Sequence, residues 1–296
     1  MTMSIRTNVG SLNAQRNLFG TQTEMSHTLS KLSSGYRITK AGDDAAGLAI
    51  SETLRAQISG LNQASRNAND AISMIQTAEG AMQEAHTMLQ RMSQLAVQAA
   101  NGTLSNSNRQ NIDKELVQLT NEINAIALRA NFNGVNLLAG TPGGTPATSM
   151  TRQFQIGPSA ADTLSVTFQS LTIAATDSNF TALHTALTAF STAAAAADET
   201  AAITAANALV DELKDAIDLV SGYRADLGAS QNRLEHTIAN LNITAENLSA
   251  SESRIRDADI AEETAAMSRA QILMQAGVSV LAQANQMPQL ALKLLG

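Results

Sequence analysis

Apolar residues recur every three or four positions over most of the chain, the spacing that lays them along one face of an α-helix. From Leu54 the stripe runs through Ile58, Leu61, Ala68, Ile72 and Ile75, with Ser65 its one polar member. A second register follows at Ala78, Ala81, Ala85, Met88, Met92, Leu95 and Ala99. The change between Ile75 and Ala81 predicts a coiled-coil strand that is locally overwound. After a loop at residues 102–108, Ile112, Leu116, Leu119, Ile123 and Ile126 mark a shorter returning helix. The most regular stripe begins at Leu213 and continues through Ile217, Val220, Arg224, Leu227, Gln231, Leu234, Ile238, Leu241, Ala245, Leu248, Glu252 and Ile255. At about 1.5 Å per residue it predicts a rod of roughly 60 Å that needs a partner along its length. A buried Gln231 in that stripe would fix register at some expense of stability.

Both ends carry a further apolar stripe: Ile5, Val9, Leu12, Phe19, Leu29 and Leu32 at the start, and Ile260, Met267, Met274, Val278, Leu281 and Leu292 at the end. Each is short of large side chains, so alone it buries too little to offset the entropy of ordering. The expectation is that these helices fold against each other and against neighbouring subunits.

Breaks in the pattern divide the chain. Glycine and carboxylates at Ser33–Asp44 interrupt the first arm, with Asp44 suited to cap the next helix. Three of the four prolines, Pro142, Pro146 and Pro158, sit in one short middle stretch, and the fourth is Pro288. There the period falls to two: Phe154 and Ile156, then Leu164, Val166 and Phe168, predict a β-hairpin. The resulting expectation is a mainly α protein, a long antiparallel coiled coil or helical-bundle rod with a small hairpin region. Residues 1–44 and 255–296 are two halves of an inner terminal-helix domain, and 45–254 form a rod-like core with its hairpin at about 152–169.

Composition narrows the chemistry. The 296 residues include 52 alanines but only six phenylalanines, two tyrosines and no tryptophan, which suits close-packed helices. A net charge of −7 with no basic run argues against nucleic acid as a partner. Cysteine is absent, so disulfides and thiolate sites are excluded. His27, His86, His184 and His236 match no metal-ligand spacing, and no phosphate-cradling loop or nucleophile motif occurs. The carboxylates Asp43, Asp44, Asp257, Asp259, Glu262 and Glu263 read as helix N-terminal charges. No enzyme and no cofactor are expected. The first eight residues hold no apolar run fit for a cleavable signal, so the protein stays inside or leaves by a route that needs none. The uncharged stretch from Ala270 to Leu292 contains five glutamines, Asn285 and Pro288, so it reads as a partner-binding helix and not a membrane span.

Several segments are specific enough to carry a resemblance. Ser34-Gly35-Tyr36-Arg37-Ile38, Ala41-Gly42-Asp43-Asp44-Ala45-Ala46-Gly47-Leu48-Ala49-Ile50 and Asn131-Phe132-Asn133-Gly134-Val135 resemble the N-terminal half of bacterial flagellin. Leu227 to Leu234, Ser253-Arg254-Ile255-Arg256-Asp257-Ala258-Asp259 and Gln283 to Gln289 are similar to its C-terminal half. The match runs in order along almost the whole chain, as a short form without large variable outer domains. The ending Leu292-Lys293-Leu294-Leu295-Gly296 departs from the basic last residue common in the family.

The resemblance implies a filament subunit that polymerises with itself, exported unfolded by the flagellar type III apparatus with an export chaperone. It would be bounded by hook-associated junction and cap proteins in an extracellular filament. It also implies a contact with the animal innate immune flagellin receptor through Leu89, Gln90, Arg91 and Leu95, with Glu115 on the adjoining helix. Read from the residues alone, Leu89 and Leu95 are helix-packing positions and Arg91 a solvated charge. The other readings are a hook-filament junction protein and a flagellin-like adhesin or polysaccharide-binding protein, the latter needing an aromatic-lined groove.

Overall fold

A computed structural model describes residues 7–139, 149–174, 179–196 and 198–295, with the side chains of 287–295 excepted. Six helices and four short strands follow in order: α1 (Val9–Ser34), α2 (Ala45–Ala99), α3 (Asn106–Arg129), β1 (Asn131–Phe132), β2 (Val135–Asn136), β3 (Ser149–Gln155), β4 (Thr163–Gln169), α4 (Thr181–Ala195), α5 (Glu199–Arg256) and α6 (Ile260–Leu295). The mainly helical class with a small hairpin region is the one the apolar periodicity predicts. The chain forms two compact units, residues 60–244 and residues 1–59 with 245–296. The helix breaks fall at 35–44 and 257–259.

Residues 60–244 hold the large core. Leu95 is buried at the edge of the α2 seam, and the seam itself is Leu61, Ala64, Ala68, Ala71, Ile75, Ala78, Met82, Ala85, Leu89, Met92, Ala96 and Ala99. They alternate steps of three and four without interruption, so the seam does not shift after Ile75, contrary to the expected overwinding. The difference lies in alanine: Ala64 and Ala71 occupy seam positions, while the larger Ile72 and Met88 pack at its edge. An alanine seam lets helix axes approach closely. In α5 the seam likewise starts earlier than Leu213, at Ala202, and runs through Ala206, Leu209, Leu213, Ala216, Val220, Leu227, Leu234 and Leu241. Gln231 is only partly buried and its amide donates to Glu235 of the same helix at 3.0 Å, so it is not the buried register group expected. Arg224, also read as a seam entry, reaches Glu79 of α2 at 3.4 Å.

One charged side chain is fully buried among the described residues. Arg109 of α3 donates to the carbonyl of Ala99, the last residue of α2, at 3.0 Å, to that of Asn101 at 3.0 Å and to Asn106 Oδ1 at 3.2 Å. It thereby satisfies carbonyls that the end of a helix leaves open. Glu199 in the first turn of α5 lies 3.8 Å from the same guanidinium.

The hairpin is β3–β4, antiparallel from Ser149 opposite Gln169 to Gln155 opposite Thr163. Leu164, Val166 and Phe168 turn into the core from one face of β4. Asn67 of α2 donates to the Gln155 carbonyl at 3.0 Å. Two elements have no counterpart in the sequence reading. Asn133 and Gly134, both with positive φ (49° and 78°), close the two-residue turn of β1–β2. Helix α4 packs Leu183, Phe190 and Ala194 inward and meets α3 through Ser191 Oγ on Asp113 at 3.0 Å and Gln110 on the Ala194 carbonyl at 3.2 Å.

Candidate functional site: the paired terminal helices

In the second unit α1 and α6 run antiparallel. Asn8 Nδ2 donates to the Ala284 carbonyl at 2.8 Å near one end, and Lys31 pairs with Glu263 at 3.0 Å near the other. Caps define the helix between: Asn8 Oδ1 accepts from the Ser11 amide, and Gly35, at φ 74°, closes α1 in the left-handed region. The seam between the helices is made of small and flexible groups. From α1 come Ser11, Ala14, Leu18, Thr21, Met25, Thr28 and Leu32, and from α6 Met267, Ala270, Met274, Gly277, Leu281 and Ala284, all at least partly buried. Leu18 fills the notch at Gly277, where a Cβ would stand 2.9 Å from its Cδ1.

The single stripe expected on each terminal helix therefore resolves into two faces. Leu32, Met267, Met274 and Leu281 turn into the α1–α6 seam. Val9, Leu12, Leu29 and Val278 turn outward and are exposed, as are Phe19 and Ile260. Ile272, Leu273 and Val280, which lie off the predicted stripe, join the outward set. Phe19 is 73% exposed. Ile5 and the side chain of Leu292 lie outside the described residues. The positional signal was present in the sequence: each helix carries large apolar residues in two phases of the heptad, wider than a two-helix seam uses.

At the end of this pair where α1 closes and α6 begins, the two helix breaks meet. Arg37 N donates to the Arg256 carbonyl at 2.7 Å and Ala258 N to the Gly35 carbonyl at 2.9 Å, forming an isolated antiparallel bridge between Tyr36 and Asp257. The Arg37 guanidinium donates to the Ile255 carbonyl at 2.7 Å. Arg256 stacks over the Tyr36 ring, 4.6 Å from its centre, and reaches Glu52 of α2 at 2.8 Å. That bond with Arg256 holds the Glu52 carboxyl below its usual range, helped by Arg55. Asp43 is held low by hydrogen bonds from the Lys40 amide and from Thr39. Asp44 caps α2 through the Gly47 amide at 2.8 Å.

The residues matched to a host-receptor contact divide in the same way. Leu89 and Leu95 are buried in the large core, whereas Gln90, Arg91 and Glu115 are exposed. Arg91 forks onto Glu115 Oε1 at 3.0 and 2.7 Å. Among the described residues no three His, Asp or Glu side chains are placed to hold a metal ion, and no helix is long and apolar enough to cross a membrane.

This is the class of helical subunit whose chain ends pair and present apolar surface outward. A solved structure titled as a putative flagellar hook-associated protein from Vibrio parahaemolyticus has the same fold, with a TM-score of 0.61 at 14% identity over 73% of this chain and 100% of that one. Two family models match the chain, the bacterial flagellin N-terminal helical region over residues 5–142 and the C-terminal helical region over 210–295. A flagellin of Bacillus subtilis (strain 168) is 46% identical over 99% of this chain and 100% of its own length. A flagellar filament core protein of Brachyspira hyodysenteriae is 43% identical with the same coverage. The chain belongs to the bacterial flagellin family, in a form without large outer domains, and is a structural subunit of the flagellar filament.

Proposed function

We propose that the subunit is exported unfolded by the flagellar type III apparatus, accompanied by an export chaperone, and polymerises outside the cell through the outward faces of α1 and α6. Junction and cap proteins of the hook-associated kind would bound the filament. The observation that carries this reading is the exposure of Val9, Leu12, Phe19, Leu29, Ile272, Leu273, Val278 and Val280 on a helix pair whose own seam is narrow. Such a concentration of exposed large apolar side chains marks an association surface. Subunit contacts there involve Val9, Leu12, Leu29 and Val278 directly, while Leu32, Met267, Met274 and Leu281 act by holding the pair together. A polysaccharide-binding role has less support, since Phe168, Phe180 and Phe190 are buried.

Sedimentation of purified protein tests the proposal. Leu12→Asp with Val278→Asp should raise the free subunit concentration at equilibrium with polymer at least tenfold, which needs only about 1.4 kcal/mol. Equal free concentrations for mutant and wild type would remove these faces from the interface. Recognition by the innate flagellin receptor is proposed through the exposed Gln90, Arg91 and Glu115. In a reporter-cell assay on monomer, Arg91→Ala should weaken the response, and an unaltered response would exclude this patch.

A further inference from the structure

The seam between α1 and α6 holds the pair together better than it selects one register. Seven of its thirteen members are Ala, Ser, Thr or Gly, and the rest are Leu18, Leu32, Leu281 and the flexible Met25, Met267 and Met274. A slip of one heptad would move Leu18 from Gly277 to Ala270 or Ala284, each again a small residue. The Asn8 contact adds little discrimination, because its acceptor is a backbone carbonyl and every residue supplies one. The same holds for the backbone bridge at Tyr36 and Asp257. Lys31 on Glu263 does discriminate, but through one flexible ammonium.

We propose that Arg256 sets the register of α1 against α6. Among the residues of the junction its side chain is the one with side-chain partners on two separate segments: the Tyr36 ring, which follows directly on the cap of α1, and the Glu52 carboxylate of α2. It is also the last residue of α5, separated from α6 by residues 257–259. Glu52 fixes where the guanidinium lies, and a slip of α1 by a heptad against α6 would draw Tyr36 off the planar stack. Arg256 is therefore a positioning residue. The outward surface is composed from both helices, so their register decides which apolar residues of α6 stand beside Val9, Leu12 and Phe19. This inference rests on the outward faces being the subunit interface, but its test reads register in the unpolymerised chain and is independent of that reading.

The natural sequence has no cysteine, so engineered pairs report register without background. In the full-length chain, Leu18→Cys with Gly277→Cys reports the native register, and Leu18→Cys with Ala270→Cys or Ala284→Cys reports slips of one heptad. Under mild oxidation the native pair should dominate by at least tenfold. With Arg256→Ala added, its yield should fall at least fivefold while a slipped pair rises. Arg256→Lys, which keeps the charge and loses the planar stack, should recover part of the native yield. Glu52→Gln, an exposed substitution that leaves the stack in place, should shift the yields the same way by a smaller factor. An unchanged native yield in Arg256→Ala overturns the proposal. So does an equal loss of all three pairs together with lost helicity in both Arg256→Ala and Glu52→Gln, which would mean that the pair melts and does not slip. If register shifts as expected while Leu12→Asp with Val278→Asp still polymerises normally, Arg256 keeps its role and the interface assignment fails.

Discussion

The two compact units use the same heptad spacing to opposite ends. In residues 60–244 the large side chains face inward: Ile75, Met82, Leu89, Met92, Leu116, Phe168, Phe190 and Leu213 are all within about 1% of full burial, and the alanines between them set the helix spacing. In the unit of residues 1–59 and 245–296 the arrangement is reversed. The buried positions of its helix pair are Ala14, Thr28 and Ala270, and the large side chains Leu12, Phe19, Ile272 and Val278 face out. Since apolar burial contributes about 25 cal/mol per Å², the first unit is completed by its own chain. Under the proposed interface the second is completed when other copies cover it, which would couple its order to assembly.

The widest separation between the units comes from one substitution in each. Phe168→Ala removes a fully buried ring and should cost the 60–244 core about 3–5 kcal/mol, read as a lowered melting temperature, with little change in α1–α6 pairing. Leu281→Ala lies in the terminal seam and should leave that melting nearly unaltered while raising the free subunit concentration at equilibrium with polymer. If Leu281→Ala instead lowers the melting of the core as far as Phe168→Ala does, the two units are not energetically separate and the comparison collapses.

Next in size is Arg109→Met, which sharpens the contrast by asking how far the core depends on one polar contact. Its loss leaves the Ala99 carbonyl without its side-chain donor, while the Asn101 carbonyl keeps the Leu104 amide at 3.3 Å, and an unsatisfied buried acceptor costs about 1–3 kcal/mol. Denaturant unfolding should show a lower midpoint with an unchanged slope. A neutral result would mean that Met packing repays the lost hydrogen bonds.

Element type was legible in the sequence wherever large residues marked the face, and illegible where alanine did. Ala64, Ala71 and Ala216 occupy seam positions, yet nothing in an alanine distinguishes seam from surface without its neighbours in space. That ambiguity produced both the false shift after Ile75 and the choice of Ile217 over Ala216. Helix α4 was missed because Thr181, Thr185, Thr188 and Thr192 are poor helix formers, and its stability comes from Leu183 and Phe190 packing inward. Residues of the terminal helices read as interface material in the sequence, but their division into seam and outward face depends on the partner helix's position. Arg109 stands in phase with the α3 stripe, three residues before Ile112, but a charged side chain gives no apolar signal there. The motifs around Tyr36 and Arg256 were legible as segments, and only the fold brings them, some 220 positions apart, to one junction.

The smallest expected effect concerns the one contact in the core that works against its own charge. Asp113, partly buried between α3 and α4, has its pKa raised by burial, a shift that the hydrogen bond from Ser191 opposes without cancelling. A carboxyl whose folded value stands above its unfolded value is disfavoured when ionised. Its stabilising share is therefore complete below the unfolded value and is lost as pH rises through the folded one. Asp113→Asn keeps an acceptor for the Ser191 hydroxyl and removes the charge, so it should stabilise the core near pH 7 by less than about 0.5 kcal/mol once solvent screening is allowed for. At pH 3 the gain should vanish. Melting of wild type and Asp113→Asn at the two pH values checks it: a gain of the same size at both would mean that the amide improves packing, and a loss at pH 7 would mean that the ionised carboxylate strengthens the attachment of α4.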